Sequence, residues 1–533
     1  MNAETLLLLC LGAVAIITGV RWLGERTGLP AAALLPVIGI AYALLPGPNI
    51  PLDPHVVLTF VLPPLLYSAA LDSSLLAIRA NLRIVIGLSV LLVFATALLI
   101  GAGFALFVTG ATLGAGVAVG AAVAPPDPVA ALAVGRKVGL PPRLITIIQG
   151  EGLLNDATAL TLLNVAVVAA VSGEYSTPRA AGLFVFAAVG GAAVGVGVSY
   201  LLRLLRPITA RDPLLANAIS LATPFIAYLI GEELHVSGVL AVVVAGLIVG
   251  HDAPRSTTGA GRLQTGAVWR LADFLLEGVV FLLIGQQLPT VVRGLQQYAM
   301  STIVTAVAIA VGVTLLLRPV WLVLTQAAHL LLRREDEGLS GREITALSWA
   351  GTRGVISLAA VFTIPLTTEA GAPFPDRDLL LFCTFMVVLV TLVGQGLTFA
   401  PLVRALGLKA NEVDEARQRN EARAAAVQAA LDRLDELERE EPDEAQAVAL
   451  LRAKLQERLR RYQHRLDVLS AAESDEVPTS QRYESALRIQ KLAIEAQREE
   501  LLRWRDAGNL PDEGLRRLER ELDHEERILP ERP

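Results

Sequence analysis

The sequence predicts an all-α polytopic membrane protein of about 13 transmembrane helices with a cytoplasmic helical domain at its C-terminal end. Three observations carry this. Of the 96 charged residues, 53 fall in the last 125 positions, which leaves 43 for the first 408. The whole chain is 53% hydrophobic and only 18% charged, against about 25% charged in an ordinary soluble domain. The few basic residues of the front part also alternate in sidedness from loop to loop. The front, 1–406, therefore reads as a membrane domain, and 407–533 as a soluble appendage.

About 20 apolar residues are needed for a helix to cross a bilayer. Thirteen such stretches follow one another, near 5–23, 28–46, 54–71, 83–108, 113–134, 144–172, 180–205, 213–231, 236–250, 265–292, 299–331, 343–366 and 379–404. The first does not read as a signal peptide, because Glu4 is its only early charge and no small-residue cleavage site precedes Arg21. With the N-terminus outside, the inner loops carry 17 basic residues: Arg21, Arg26, Arg79, Arg83, Arg136, Lys137, Arg143, Arg203, Arg206, Arg211, Arg255, Arg262, Arg270, Arg333, Arg334, Arg342 and Arg404. The outer loops carry three, Arg179, Arg293 and Arg377. This excess places the N-terminus outside and the tail in the cytoplasm, and it favours an odd number of spans. Net charge is −6 overall and −7 in the tail (23 basic, 30 acidic), which speaks against a nucleic-acid partner. Cys10 and Cys383 sit in apolar runs and indicate neither a disulfide framework nor a metal site.

A charged residue at the centre of a membrane helix costs ~3 kcal/mol to insert, so the few present are candidates for function. The fifth stretch contains Ala-Pro-Pro-Asp-Pro at 124–128. Pro125, Pro126 and Pro128 remove three N–H donors and clash with the preceding turn, so this segment cannot be a continuous helix. Freed carbonyls are tolerated where they line a cavity or meet a ligand. The break near Pro126, with Asp127 beside it, is thus a predicted cation site; a plain proline kink with Asp127 as a helix N-cap is the alternative. The twelfth stretch is interrupted at Gly351-Thr352-Arg353-Gly354. Segments five and twelve run in opposite directions, and paired interruptions of this kind point to an inverted-repeat transporter with a central site. The repeats would span about 5–172 and 213–404.

The sixth stretch holds the strongest chemistry, Gly-Glu-Gly-Leu-Leu-Asn-Asp at 150–156. Glu151 and Asn155 share a helix face. Asp156 lies about 100° further around, and Gly152 on that same face leaves room for close backbone approach. Arg353, as the interior cation on a broken segment, is the expected partner of Glu151. Their pairing would leave Asp156 uncompensated, helped by Asp127. Such a carboxylate holds a proton or a cation and seldom neither. Competition of two ions for one carboxylate is the physical minimum for exchange.

Together with Leu-Pro-Pro-Leu-Leu at 62–66 and Gly-Thr-Arg-Gly-Val-Ile-Ser-Leu at 351–358, these motifs resemble the monovalent cation:proton antiporter-1 family, the NhaP-type and animal sodium/proton exchangers. The likeness covers about residues 5–404. It implies an NhaA-like inverted repeat with two crossed discontinuous helices, and a homodimer in which a six-helix core domain moves against a dimerisation domain. It implies that Asp156 is the ion-and-proton carboxylate, with Na⁺ bound there and Asn155 beside it. An Asn-Asp pair resembles that of electroneutral exchangers. Asp127 matches the acid of the family's Thr-Asp-Pro break, and Glu151 with Arg353 its structural ion pair. Two ligand positions differ from those of some archaeal relatives: Ser68 stands where they have a glutamate and Gly152 where they have a serine. Pro126 replaces the threonine of the break and keeps only its backbone carbonyl. The cation would then rely on Asp156, Asp127, the Pro126 carbonyl and water, with Ser68 as a lesser candidate.

Weaker signals remain. Asp273 and Glu277 share a helix face and could line a vestibule with Gln286 and Gln287. More simply, Asp273 sits at the interface beside Arg270, and Glu277 pairs with a polar neighbour, for which Arg318 is a candidate. Gly191 and Gly195 fit close helix packing. Glu232, Glu233 and His235 read as an outer loop. No phosphate-binding loop or metal-ligand spacing appears, so ATP-driven transport, enzymatic activity and a cofactor are not expected. The tail reads as helices over 410–440 and 447–470, with breaks at 471–480 and 509–515 around Pro478, Pro511 and Gly514. Hairpins and a coiled coil both fit. The function expected is Na⁺/H⁺ or Li⁺/H⁺ antiport serving pH and sodium homeostasis in the inner membrane. K⁺/H⁺ antiport is the alternative, followed by an ion sensor with a signalling tail, and then a channel.

Overall fold

The computed structural model describes residues 3–27, 29–45, 53–172, 177–209, 212–331, 338–368, 373–471 and 481–528. Arg211, Arg333 and Arg334 of the charge asymmetry, and Pro478 of the tail break, lie outside them. Among the described residues the fold is all-helical, with a lone β-bridge between Thr367 and Pro373. Residue contacts divide the chain into two units, Met1–Lys409 and Ala410–Pro533.

In the first unit the helices are α1 (Ala3–Thr27), α2 (Ala31–Ala43), α3 (Pro54–Leu71), α4 (Leu82–Phe107), α5a (Leu113–Val123), α5b (Pro128–Lys137), α6 (Pro142–Ser172) and α7 (Thr177–Thr209). There follow α8 (Pro213–Glu233), α9 (Gly238–Ser256), α10 (Gly259–Gln286), α11 (Met300–Leu331), α12a (Gly341–Trp349), α12b (Val355–Phe362) and α13 (Arg377–Leu406). Among the described residues, ten spans are long and apolar enough to cross a membrane: α1, α3, α4, α5a with α5b, α6 to α9, α11 and α13. The other three are the 13-residue α2, the charge-bearing α10 and the interrupted α12.

Packing falls into two helical groups. One holds α4, α5, α6, α11, α12 and α13, with α5a lying against α4, α6, α12b and α13. The other holds α1, α2, α3, α7, α8, α9 and α10, with α9 central to α3, α7 and α8. Small residues permit the close crossings, since lipid supplies no hydrophobic drive between helices. A Cβ on Gly191 would lie 2.5 Å from the Ser237 carbonyl oxygen, and one on Gly195 would lie 2.5 Å from that of Ala241. The sequence suggests close helix packing at these two glycines, and the structure supplies α9 as the partner. Three membrane helices contain a π-helical turn, at Val57–Val61, Gly87–Leu91 and Val390–Gln395.

The second unit contains α14 (Glu412–Glu440), α15 (Ala445–Ser470), α16 (Gln481–Asp506) and α17 (Asp512–Ile528). α14 pairs with α15, and α16 with α17, so hairpins are the outcome. Leu469 buries against Val413 and Ala416 in the first hairpin, and Leu522 against Ile494 in the second. Arg452 bridges to Asp435 and Glu438, and Arg498 to Asp523 and Glu526. These pairs are solvent-exposed and add little beyond the apolar seam.

Candidate functional site

The two interrupted helices meet at their breaks. The α5 break spans 124–127, where the prolines deny the helix its donors. The α12 break spans 350–354. Two hydrogen bonds tie the breaks together: Asp127 N–H donates to the Thr352 carbonyl at 2.6 Å, and Thr352 Oγ1 donates to the Asp127 carbonyl at 2.9 Å. Gly354 is required at this crossing, because a Cβ there would stand 1.7 Å from Asp127 Oδ2.

Each pair of half-helix ends receives a charge of the complementary sign. Asp127 Oδ1 accepts from Val129 N–H at 3.0 Å and caps the N-terminus of α5b, while its other oxygen faces the N-terminal end of α12b at Gly354. Arg353 serves the opposite ends. Its Nε donates to the Val123 carbonyl at 2.6 Å, at the last residue of α5a, and Nη1 donates to the Gly351 carbonyl just past α12a. An anion at helix N-termini and a cation at C-termini is the favourable arrangement for the helix dipoles. The π-helical turn of α13 contributes Thr391, whose hydroxyl accepts from the Arg353 N–H at 2.9 Å.

This employment of Arg353 corrects the expected Glu151–Arg353 pair. Glu151 is bound instead by Arg318 of α11: Nη1 reaches Oε1 and Nη2 reaches Oε2 at 2.8 Å, while Nε donates to the Leu347 carbonyl at 2.8 Å. The cause is the break itself. Opening α12 and α5 exposes buried carbonyls that need a donor, and Arg353 is the donor nearest them. Glu151 then takes the bidentate partner on a continuous helix, a geometry that buried pairs require to offset desolvation. Arg318 is accordingly not the partner of Glu277.

Asn155 and Asp156 stand on α6 beside this crossing. Gly152 lets α6 approach α5b, since a Cβ there would lie 2.4 Å from Pro128 Cγ. Asn155 Nδ2 donates to the Pro126 carbonyl at 2.9 Å, and Asn155 Oδ1 is buried without a hydrogen bond among the described residues. Asp156 is only 3% exposed and makes no hydrogen bond or ion pair among the described residues. Its charged neighbour is Asp127. Arg318 and Arg353 are the guanidiniums here, and the carboxylates are Glu151, Asp127, Asp156 and, beside Asp127, Glu277, so the carboxylates outnumber the guanidiniums.

Ser68 is turned away from this cluster, its hydroxyl donating to Asp273 Oδ2 of α10 at 2.5 Å. Asp273 was legible in the sequence as an intramembrane acid, but its contact with Ser68 was not, because the two are 205 positions apart. A cavity of about 850 Å³ lies toward the C-terminal end of α6, lined by Leu160, Asn164, His55, Tyr228, Glu232 and His235 among others. Leu160 is one helical turn beyond Asp156. Among the described residues no group of three or more His, Cys, Asp or Glu side chains is arranged to hold a metal ion.

Comparison with known proteins agrees with this architecture. Residues 12–405 match the family described as sodium/hydrogen exchanger, transmembrane. An uncharacterized Na⁺/H⁺ exchanger of Mycobacterium tuberculosis is 32% identical over 514 residues, covering 95% of this chain and 92% of the relative. A sodium, potassium, lithium and rubidium/H⁺ antiporter of Bacillus subtilis is 35% identical over 327 residues, 59% of this chain and 48% of the relative. The solved structure of the sodium proton antiporter MjNhaP1 from Methanocaldococcus jannaschii at pH 8 shares the fold, with a TM-score of 0.59 at 19% identity over 75% of this chain and 99% of that one. The family match runs through both helix breaks and the α6 motif, so this chain belongs to the sodium/hydrogen exchanger family, whose members are antiporters and not enzymes.

Proposed function

We propose that this chain is a secondary active Na⁺/H⁺ antiporter working by alternating access, with Asp156 as the carrier group. The observation that carries the reading is Asp156 itself: buried, without hydrogen-bond or ion-pair partner among the described residues, and set beside two helix breaks whose own charges are already matched. Protonated, Asp156 is neutral; deprotonated, it offers two oxygens to a cation. Binding one monovalent cation releases one proton, so the carrier alternates between two neutral loaded forms. Asn155 is neutral and Asp127 is occupied as a cap, which supports an electroneutral 1:1 exchange.

On this reading α1 to α13 all span the membrane, with the N-terminus outside and the tail in the cytoplasm, as the basic loops favour. The α4-to-α6 and α11-to-α13 group is the core that carries the site. The other group is the dimerisation domain of a homodimer in the inner membrane. The inverted repeats are 5–172 and 213–404, and the physiological role is sodium and pH homeostasis.

A second reading, in which K⁺ is also exchanged, is supported by the thin ligand set. Ser68 is engaged with Asp273 and Gly152 has no side chain, so few fixed oxygens surround Asp156 to discriminate by size. The Bacillus relative named for four cations is in keeping with this. The test is proton flux in inverted vesicles with Na⁺, Li⁺ or K⁺ added. Na⁺ should collapse an imposed proton gradient, and Asp156→Asn should abolish the response; undiminished exchange in that variant would refute the carrier assignment. A K⁺ response equal to that of Na⁺ would establish the second reading.

A further inference from the structure

We infer that Thr391 of α13 is a positioning residue for the transported cation, acting through a hydrogen-bonded chain that crosses both helix breaks and ends on Asn155, an inference that rests on the antiport reading above. The links share one polarity. Thr391 Oγ1 donates its single proton to the Val387 carbonyl at 2.8 Å and accepts from Arg353 N–H at 2.9 Å. Arg353 N–H and the Thr352 carbonyl belong to one peptide group, and that carbonyl accepts from Asp127 N–H at 2.6 Å. Asp127 N–H and the Pro126 carbonyl belong to a second peptide group, and the Pro126 carbonyl accepts from Asn155 Nδ2 at 2.9 Å. Two peptide groups, one from each break, are thus threaded in series between α6 and α13. Asn155, Thr352, Arg353 and Thr391 are each at most 2% exposed, so water does not compete for these bonds. In such surroundings aligned hydrogen bonds polarise and strengthen one another.

The chain decides which way the Asn155 amide points. A carbonyl only accepts, so the Pro126 oxygen takes Nδ2 and turns Asn155 Oδ1 the other way. Oδ1 is buried with no hydrogen bond among the described residues, which leaves it free to meet a cation. Asp156 is its neighbour on α6. A released amide can rotate and give Nδ2 to the Asp156 carboxylate, occupying an oxygen that the cation needs. The planes of the two peptide groups resist that rotation. The first is held between Asn155 and Thr352, the second between Asp127 and Thr391. Thr391 is therefore the anchor of the chain outside both breaks. Without its hydroxyl, Arg353 N–H is a buried donor with no acceptor among the described residues, a costly state. The peptide group then turns to find another acceptor and carries the Thr352 carbonyl away from Asp127.

The test uses the full-length protein in proteoliposomes, with Na⁺-driven proton flux resolved into apparent KM and maximal rate. Thr391→Val, nearly isosteric but without the hydroxyl, should raise the KM for Na⁺ about tenfold. Thr391→Ser, which keeps the hydroxyl, should return it to within about twofold of wild type. Thr384→Val is the control. Thr384 lies about two turns earlier on α13, is equally buried, and donates to the Leu380 carbonyl of its own helix; its loss should leave the KM within about twofold. An unmoved KM in Thr391→Val would overturn the inference. So would an equal rise in Thr384→Val, no rescue by Thr391→Ser, or a loss confined to the maximal rate. If Thr391→Val does not insert, Thr391→Ala removes the same hydroxyl, and the Na⁺ midpoint for thermal stabilisation in detergent replaces the KM, with the same shift expected. Failure of both variants to fold while Thr384→Val folds would assign the hydroxyl to folding alone and overturn the inference as well. Flux undiminished by Asp156→Asn would instead overturn the antiport reading, which keeps the two failures apart.

Discussion

Arg318 and Glu151 are the residues on which the core of the site depends. Both are almost fully buried, at 2% and 1% exposure. Removing one partner strands a charge, which costs about 3–5 kcal/mol, whereas removing both is far milder. Arg318→Gln and Glu151→Gln should therefore each lower thermal stability sharply in detergent. The double variant should recover most of the loss, and a strictly additive double variant would show that the pair is not coupled. At this scale the sequence was partly legible. Asp156, Asn155, Asp127 and Glu151 stand out because polar groups in an apolar run are costly. The partner of Glu151 was misassigned because the rival acceptors of Arg353 are backbone carbonyls at Val123 and Gly351, which carry no sequence signal. Asp273 and Glu277 are visible as acids, but only the fold brings Ser68 beside Asp273.

Among the elements, the crossing of α5 and α12 is set by local chemistry that the sequence states openly: three prolines at one break and two glycines at the other. The tight contact at Gly354 leads to a direct expectation. Gly354→Ala places a Cβ where Asp127 Oδ2 now stands, an overpacking that should cost ~3 kcal/mol and suppress exchange more than tenfold. Gly312→Ala on α11, where nothing lies within 4 Å of the new Cβ, is the control and should transport normally. Equal behaviour of the two variants in flux and thermal-shift measurements would contradict the crossing geometry. The π-helical turn of α13 could not have been read in advance, because its composition is that of any apolar helix, yet it presents Thr391 to the Arg353 backbone.

For the molecule as a whole, the charge asymmetry of the sequence coincides with the division into Met1–Lys409 and Ala410–Pro533. The cation-site candidates all belong to the first unit. A chain ending at Lys409 should thus insert and retain Asp156-dependent exchange, with any loss confined to regulation. Abolished flux in a well-folded truncation would show that the tail takes part in transport itself. The tail's hairpins were only half legible, because periodic Leu and Ala spacing specifies helices but not which helix covers which.

The two hydrogen bonds and the Gly354 contact that join the breaks also bear on how such exchangers can be recombined. Asp127 and Thr352 are 225 positions apart, yet each break is shaped to the other. The stretches 113–137 and 341–362 are therefore one inheritable module written in two places. A chimera that imports the first stretch alone from a distant exchanger should fail to transport, and one that imports both should work. Equal success of the single and double grafts, scored by growth of an antiporter-deficient host on sodium, would show that the two stretches vary independently.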